Sequence, residues 1–317
     1  MTAPFAHAPD PSAAGATTPA TPHRPVMLDE VLQGLMPRAD GIYVDGTFGR
    51  GGHSRALLAQ LGARARLIAL DQDPEAVAYA QALVQQDARF SIIPCNFEAL
   101  GEVIAEQGLT GRINGVMLDL GVSSPQLDQA ARGFSFSRDG PLDMRMNPQA
   151  GQSAAEWLAE AAEAEIADVL WTYGDERNSR RIARRIVETR AQEPITRTAQ
   201  LAALIAAVPG PRSHKIHPAT RSFQAIRIFI NRELDVLPLA LDAAIAVLAP
   251  QGRLAVISFH SLEDRLVKRY LRDDARSDAP RIRLCGKQFP SREESSANPR
   301  ARSAVLRIAE RLPGVTP

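Results

Sequence analysis

The chain has 317 residues, enough for two domains or for one large domain with an insertion. Hydrophobic residues make up 45% and charged residues 23%, as in an ordinary soluble globular protein, and no run of about 18 apolar residues is present to span a membrane. The two cysteines, Cys95 and Cys285, offer neither a disulfide framework nor a zinc-type spacing. We therefore expect a cytoplasmic protein without a metal centre.

The formal net charge of +1 is unevenly distributed. Residues 175–232 contain 12 Lys and Arg against 4 Asp and Glu, and residues 265–311 contain 13 against 6. Such segments can face the phosphates of a nucleic acid, although solvated arginine-rich helices give the same counts. The basic segments are therefore compatible with a nucleic-acid partner without establishing one.

Residues 1–22 consist mainly of Ala, Pro, Thr and Ser, a composition that cannot bury a core. We predict a disordered tail here. The segment lacks the basic start and the continuous apolar centre of a signal peptide, so we exclude it from the fold.

The rest of the chain alternates between apolar runs and helical periods. Strands are predicted at 42–46, 66–70, 90–94, 115–118, 253–257, 282–284 and 303–309. Helices are predicted at 28–36, 54–61, 75–86, 222–248 and 262–272, with a helical stretch from 153 to about 208. Long apolar runs in the strands are typical of a parallel sheet covered on both faces. We predict an α/β fold in which the helical stretch is an insertion.

The most informative stretch is 42–54, which combines a short strand, a glycine-rich turn and a helix start. Such a turn can cradle a nucleotide-like ligand, because glycines permit positive φ and the first helical N–H groups point at the ligand. The dinucleotide pattern G-x-G-x-x-G fails, since Ser54 stands at its sixth position. Asp-x-Thr-x-Gly-x-Gly, from Asp45 to Gly51, fits instead and resembles the first motif of S-adenosylmethionine-dependent methyltransferases. An ordinary glycine-rich turn is the alternative.

Further candidate ligand contacts follow the next strands, at the edge where open α/β sheets form their ligand crevice. Asp71 lies 20 residues beyond Gly51, where a carboxylate can accept hydrogen bonds from ribose hydroxyls. Phe97 follows the third strand and can stack on an adenine, or else it is a core aromatic. Asp119 ends the fourth strand. These positions predict a nucleoside-containing cofactor at this edge.

Ser123-Ser124-Pro125-Gln126, just after the fourth strand, resembles the tetrad of methyltransferases that act on exocyclic amines of bases. A cytosine N4 amine is a poor nucleophile because its lone pair is delocalised into the ring. A rigid turn that accepts hydrogen bonds from the amine would localise that lone pair, and Ser123 and Gln126 can both do so. The aromatic residue of the tetrad is absent, which puts base stacking at this turn in doubt.

Residues 132–145 show neither helical nor strand periodicity, and loops of this length in compact domains are usually functional or disordered. Phe134 and Phe136 lie here among arginines and glycines. We expect an ordered loop near an RNA base, with these two aromatic rings as candidates for stacking.

A basic stripe is predicted within the helical stretch. Five arginines recur there at three- and four-residue spacing: Arg177, Arg180, Arg181, Arg184 and Arg185. This spacing places them along one side of a helix while Ile182 and Ile186 face inward. We interpret the stripe as a phosphate-facing surface.

Two later segments add candidates. His260 follows the fifth strand, where it can orient a substrate, act as a base or serve as a hydrogen-bonded structural histidine. Arg300 and Arg302 lie in the loop before the last strand, and we expect them to contact RNA.

Together these motifs resemble those of one family, the bacterial 16S ribosomal RNA cytosine-N4 methyltransferases (small subunit methyltransferase H, MraW). The resemblance extends from about residue 23 to residue 311. It rests on the segments 23–27, 45–54, 119–128, 133–136, 140–146, 217–221, 257–264 and 298–302.

The resemblance implies a Rossmann-like class I S-adenosylmethionine-dependent methyltransferase sheet, formed by residues 23–130 and 221–317, with an inserted helical substrate-binding domain at 131–220. It implies S-adenosylmethionine as the donor and a decoding-centre cytidine of 16S rRNA in the small ribosomal subunit as the acceptor. By motif, the cofactor-binding residues are Gly51, Gly52, His53, Asp71, Phe97, Asp119 and Gln126. Our candidate catalytic residues are Ser123 and His260. Our candidate RNA contacts are Phe134, Phe136, Arg177, Arg181, Arg184, Arg300 and Arg302.

Three other functions remain open at this point. Another RNA base is the alternative acceptor. A nicotinamide-dependent oxidoreductase would use the same cradle, although the failed glycine pattern opposes it. A non-catalytic RNA-binding protein would need only the basic segments. The sequence leaves the oligomeric state open, including a homodimer.

Overall fold

The computed structural model describes residues 24–210 and 216–314. The predicted disordered tail, residues 1–22, lies outside the described residues. No helix in the described part of the chain is long and apolar enough to cross a membrane.

Seven strands of the described chain form one sheet in the order β3-β2-β1-β4-β5-β7-β6. They span Ile42–Asp45 (β1), Arg66–Asp71 (β2), Phe90–Pro94 (β3), Ile113–Asp119 (β4), Leu248–Ser258 (β5), Ile282–Gln288 (β6) and Val305–Arg311 (β7). Strands β1 to β5 are parallel, and β7 runs antiparallel between β5 and β6. The strand order reverses between β1 and β4, which places the ligand crevice at their carboxyl ends. The predicted Rossmann-like α/β class is confirmed.

The helices follow the predicted alternation. They span Leu28–Leu35 (α1), Gly52–Leu58 (α2), Pro74–Gln86 (α3), Leu100–Glu106 (α4), Ser124–Asp128 (α5), Ala154–Glu160 (α6), Glu163–Gly174 (α7), Ser179–Arg190 (α8), Thr198–Ala207 (α9), Thr220–Ile230 (α10), Glu233–Val247 (α11), Ser261–Ala275 (α12) and Arg292–Ala297 (α13). The predicted helical stretch of 153–208 is thus four separate helices, α6 to α9. Residues 132–145 contain neither helix nor strand apart from the single bridge residue Pro141 and the end of a 3₁₀ turn at Arg132.

Two apolar clusters cover the two faces of the sheet. Tyr43 and Leu67 belong to one cluster, whereas their neighbours Val44 and Ile68 belong to the other. Successive strand residues point to opposite faces, so these strands are buried on both sides. This explains their continuous apolar runs.

A third apolar cluster holds the helical region together and lies between β4 and β5 in the sequence. It includes Leu142 from the long loop and Ile182 and Ile186 from α8, all buried. Phe223 and Ile226 of α10 belong to the same cluster. Packing of the helical region therefore continues past residue 220, and the boundary proposed there stays a prediction.

The prediction of one helix over 222–248 is wrong, because the chain turns between α10 and α11. Arg232 adopts a left-handed backbone with φ of 52°. Asn231 holds this corner: its Nδ2 donates to the carbonyl of Met144, and its Oδ1 accepts from the N–H of Met146. The long loop of 132–146 thus supplies the contacts that stop α10, contacts that no local periodicity reveals.

Candidate active site

A cavity of about 680 Å³ lies at the carboxyl ends of β1, β2 and β4, where the strand order places the crevice. This volume is in the usual range for small-molecule sites. A smaller cavity of about 230 Å³ lies in the helical region beside α8 and α10. The larger cavity contains most of the predicted cofactor residues.

The glycine turn forms one boundary of the cavity through Gly49 and Gly52. Gly51 precedes α2 with φ of 69°, and a Cβ there would lie 2.5 Å from the ring of Phe48. A side chain at position 51 would thus be strained and would collide with that ring. The predicted helix start at Ser54 lies two residues late, since α2 begins at Gly52.

Asp45 ends β1 and is buried behind the turn. Its carboxylate accepts hydrogen bonds from the Ser54 hydroxyl at 2.6 Å and from the Thr47 N–H at 3.1 Å. Burial raises the pKa of Asp45 to about 6 despite these donors. Asp45 therefore fixes the turn to the first strand.

Asp71 ends β2 and lines the cavity. Its two oxygens accept from the N–H groups of Gly49 and Asp73, each at 2.8 Å. Burial raises the pKa of Asp71 to about 6. Each carboxylate oxygen has two acceptor sites, so capacity remains for ligand hydroxyls.

Asp119 ends β4 and faces the same cavity. Its N–H donates to Thr47 Oγ1 at 2.6 Å, its Oδ2 lies 3.7 Å from His53 Nδ1, and its buried Oδ1 has no hydrogen-bond partner among the described residues. Burial, and then the charge of Glu263, raises the pKa of Asp119 to about 7, while burial lowers that of His53. We call Asp45, Asp71 and Asp119 the cradle wall.

The turn after β4 is fixed by Gln126, which is buried. Gln126 Oε1 accepts from the Ser123 N–H at 2.9 Å, and its Nε2 donates to Asp73 at 2.8 Å. Asp73 also pairs with buried Arg132 at 2.8 Å. Ser123 and Gln126 both line the cavity, and the structure uses the Gln126 side chain to hold the turn.

A second set of charged groups lies at the cavity: Arg227, Glu233 and Glu263 line it, and His260 contacts Glu263. Arg227 binds Glu233 through two hydrogen bonds of 2.8 Å each. Glu263 accepts from the Phe259 N–H at 2.8 Å, and its Oε1 lies 2.9 Å from His260 Nε2. We call Arg227, Glu233, His260 and Glu263 the paired wall.

On the paired wall the pKa of the buried carboxylate Glu263 is lowered, whereas the pKa values of the cradle-wall aspartates are raised. Burial alone would raise the pKa of Glu263, but His260 and Arg227 outweigh it, so that pKa lies below its ordinary value. Glu233, His260 and Glu263 offer three potential metal ligands within 4.8 Å of one another. Both carboxylates are already engaged by protein donors, so this arrangement is complete without an ion.

A sequence profile of the MraW methylase family matches residues 20–312, nearly the whole chain. The chain belongs to the MraW methylase family. It is therefore an rRNA methyltransferase that uses S-adenosylmethionine, which confirms the predicted family, enzyme class and cofactor.

Solved structures with a similar course of the chain include three bacterial proteins. A Clostridium thermocellum protein described as an rRNA methylase has a TM-score of 0.45 and 12% identity, and the match covers 92% of this chain and 100% of that one. An rRNA methylase from Streptococcus thermophilus has a TM-score of 0.43 and 12% identity, covering 92% and 99%. A Streptococcus mutans protein described as a methyltransferase and solved in complex with SAH has a TM-score of 0.43 and 12% identity. The match covers 90% of this chain and 97% of that one.

The other predicted site residues of this MraW-family chain lie in varied surroundings. Phe97 starts a 3₁₀ turn and lines the cavity. His260 precedes α12 and accepts the Glu263 N–H at Nδ1, 3.4 Å away, and its Nε2 lies 2.9 Å from Glu263 Oε1. Phe259 and Glu263, on either side of His260 in the sequence, line the cavity.

The aromatic residues predicted to stack on RNA are packed within the protein. Phe134 is buried beside the guanidinium of Arg132. The ring of Phe136 lies 4.5 Å from that of His217 and 4.9 Å from that of Phe223. In this structure both rings stabilise the loop, and their stacking on a base stays a prediction.

The predicted basic contacts are on the surface. Arg177, Arg181 and Arg184 are exposed. Arg300 lines the cavity and pairs with Asp128 at 2.7 Å, whereas Arg302 Nε donates to the Ser295 carbonyl.

Sequence reasoning missed the paired wall almost entirely. Arg227 and Glu233 were placed inside one long predicted helix, whose break brings both to the cavity. Asn231 followed by Glu233 was the available signal, since Asn favours a helix end and Glu a helix start. Glu263 lay within a recognised motif but gave no sign of its orientation.

Proposed function

We propose that this protein transfers a methyl group from S-adenosylmethionine to the N4 amine of a decoding-centre cytidine in 16S rRNA of the small ribosomal subunit. The observation that carries the proposal is one cavity that joins the cradle wall to the turn holding Ser123 and Gln126. The cradle wall suits the donor, and the turn suits an exocyclic amine. Family membership supplies the RNA class, and the four-residue resemblance at 123–126 supplies the amine.

The described residues fit the cofactor. Asp71 has acceptor capacity for ribose hydroxyls, and Phe97 offers a ring for the adenine. The unpartnered buried Oδ1 of Asp119 fits a donor such as the amino group of the methionine part. The cradle wall holds buried carboxylates without a paired lysine or arginine among the described residues, so a cationic ligand would complete its charge balance.

S-adenosylmethionine supplies a methyl group bonded to a sulfonium. When that methyl group is transferred, the rest of the molecule leaves as a neutral thioether. The residues of this chain mainly have to bring the acceptor amine into line with that methyl group. The turn of 120–126 is suited to this task because it lines the cavity and because the Gln126 side chain, held by Asp73, fixes the backbone N–H of Ser123. A rigid turn of this kind provides preorganised acceptors.

The rRNA would extend over the exposed arginines. Arg177, Arg181 and Arg184 would contact phosphates on the helical region, with Arg300 and Arg302 nearer the cavity. Replacing both Arg181 and Arg184 by Gln should weaken subunit binding and reduce its salt dependence, by about one unit of log–log slope for each lost phosphate contact. Arg64→Gln is the matched control, since Arg64 is equally exposed but stands before β2, at the opposite sheet edge. An unchanged slope in the double variant would contradict the phosphate role.

The deciding experiment is tritiated methyl transfer from S-adenosylmethionine to small ribosomal subunits that lack the modification, with nucleoside analysis of the product. We expect N4-methylcytidine with the wild type and none with Asp119→Ala. Free 16S rRNA, assayed in parallel, tests whether the assembled subunit is the substrate. A methylated product other than N4-methylcytidine would replace the proposal with methylation of another RNA base.

A further inference from the structure

Glu263 lines the cavity close to Asp119, whose pKa its charge helps to raise. It is 2% exposed, yet it lines the cavity together with Asp119 and Gly121. Gly121 has φ of 89°, and a Cβ there would lie 3.9 Å from Glu263 Oε1. Glu263 Oε1 therefore lies beside the backbone where β4 gives way to the turn of residues 120–126.

The paired wall keeps Glu263 in one orientation and one charge state. Its Oε2 accepts N–H groups of Phe259 and His260 at 2.8 and 3.3 Å, and His260 Nε2 lies 2.9 Å from Oε1. Arg227 adds a positive charge close to this carboxylate. A buried carboxylate fixed by several donors is preorganised to stabilise positive charge.

We propose that Glu263 Oε1 accepts a hydrogen bond from the acceptor amine and takes its proton during methyl transfer, with His260 as the positioning residue. This inference rests on the proposed function. In the step, the amine lone pair forms the new bond to the methyl carbon, the carbon–sulfur bond breaks, and its electron pair stays on sulfur as a neutral thioether. The amine, now positive, loses one proton to Glu263, which then releases it to water.

The acidity of the intermediate makes a weakly basic carboxylate sufficient. An exocyclic cytosine nitrogen with four bonds has lost its conjugation with the ring and is a strong acid. Glu263 can therefore accept the proton although His260 and Arg227 keep its own pKa low. Before the proton leaves, the negative charge of Glu263 would also stabilise the positive charge that develops on nitrogen.

Four other carboxylates line the cavity, and each is less suited: Asp71, Asp73, Asp119 and Glu233. Asp71 accepts the N–H groups of Gly49 and Asp73, and Asp73 itself pairs with Arg132 and Gln126. Both oxygens of Glu233 are engaged by Arg227. Asp119 belongs to the cradle wall beside His53, and its pKa of about 7 leaves much of it protonated at neutral pH. Of these five carboxylates, Glu263 combines a lowered pKa with an oxygen that lies beside Gly121.

The test is single-turnover methyl transfer to the subunit with saturating enzyme and cofactor. Glu263→Gln should lower the rate about 100-fold or more, the usual contribution of a proton-accepting group. Its dissociation constants for S-adenosylhomocysteine and for the subunit should stay within about twofold of wild type. Glu310→Gln is the matched control: Glu310 is also a buried, arginine-paired glutamate, but it pairs with Arg253, five residues before the carboxyl end of β5, and does not line the cavity. Its rate should equal that of the wild type.

A Glu263→Gln rate within threefold of wild type would overturn the proposal while leaving N4 methylation intact. Absence of N4-methylcytidine with the wild type would instead refute the proposed function. If Glu263→Gln fails to fold, Glu263→Asp keeps the charge but withdraws it by one methylene, and the rate should fall about tenfold at unchanged cofactor affinity. A wild-type rate for Glu263→Asp would count against the proposal.

A pH profile tests the positioning role. With cofactor bound, the wild-type rate should stay level down to the low pKa of Glu263, whose facing groups are His260, Arg227, Glu233 and Asp119. His260→Gln removes one cause of that low pKa and should move the acidic limb upward by about one pH unit. An unmoved limb would show that His260 acts only as a structural cap.

Discussion

The cradle wall and the paired wall both contribute carboxylates to one cavity, Asp71 and Asp119 from the first and Glu233 and Glu263 from the second. The two walls stabilise their carboxylates by different means. On the cradle wall, the Asp45 and Asp71 carboxylates receive N–H or O–H donors, whereas Asp119 has only His53 at 3.7 Å. Burial raises the pKa values of Asp45, Asp71 and Asp119 to about 6, 6 and 7. On the paired wall, Glu263 lies close to Arg227 and in contact with His260, and its pKa is lowered.

This difference indicates which wall depends on a ligand. Carboxylates that are buried without a paired cation are costly to ionise, so the cradle wall gains when a ligand brings positive charge or hydroxyl donors. The paired wall has its cation built in and stays anionic whether or not the cofactor is bound. The two walls should therefore respond differently to mutation, to ligand and to pH.

The largest effect should come from Arg227→Met, which removes the cation of the paired wall. It leaves Glu233 and Glu263 buried without their guanidinium, which should cost about 3–5 kcal/mol in the free energy of unfolding. Urea denaturation measures this loss. Arg227→Met combined with Glu233→Leu should recover most of it, since an apolar pair replaces the ion pair. A loss below about 1 kcal/mol in the single variant would contradict the role of Arg227.

Asp119→Asn tests the cradle wall with two effects of opposite sign. Affinity for S-adenosylhomocysteine should fall about 100-fold, or about 2.7 kcal/mol, because a charged acceptor is lost. At pH 8 the Tm of the ligand-free protein should rise by about 2–4 °C, because a buried charge is removed. Calorimetry measures both. A lower Tm at pH 8 would show that ionised Asp119 stabilises the fold.

The pH dependence should also separate the walls. Because the pKa values of Asp71 and Asp119 are raised in the folded protein, these groups stay protonated at pH values where the unfolded chain has already released its protons. The contribution of the cradle wall to stability therefore falls as the pH rises from about 4 to 7. A ligand that favours the ionised carboxylates should bind about tenfold more tightly at pH 7.5 than at pH 5.5, a difference of about 1.4 kcal/mol. Titration calorimetry with S-adenosylhomocysteine measures this, and equal affinities at the two pH values would refute it.

The smallest effect should come from Ser54→Ala, which removes one donor to Asp45. We expect a cost of about 1–2 kcal/mol at pH 8 and less at pH 5, where Asp45 is protonated and its hydrogen bond is weaker. Ser222→Ala is the matched control: Ser222 is equally buried, but its hydroxyl has no partner among the described residues. That variant should cost little at either pH. Equal costs for Ser54→Ala at both values would contradict the pKa of Asp45.

The two walls also differ in how far the sequence predicted them. Asp45, Asp71 and Asp119 each end a strand, so the periodicity of the chain and the carboxyl-edge rule together predicted their location. Arg227 reaches the cavity only because α10 ends at Ile230, and that end depends on contacts with residues 144–146. Phe136 is similar, since its partners His217 and Phe223 lie about 80 residues away and only the fold brings them together.

The hydrogen bonds of Asn231 also bear on protein engineering. The Asn231 side chain joins the end of α10 to Met144 and Met146, which lie in the long loop that precedes the helical region. A chimera that transplants the helical region from a relative with a different RNA target should therefore carry residues 144 and 231 together. A graft cut at 153 and 208 would transfer the donor helices without the contacts between Asn231 and residues 144 and 146, so the junction would lack matched partners.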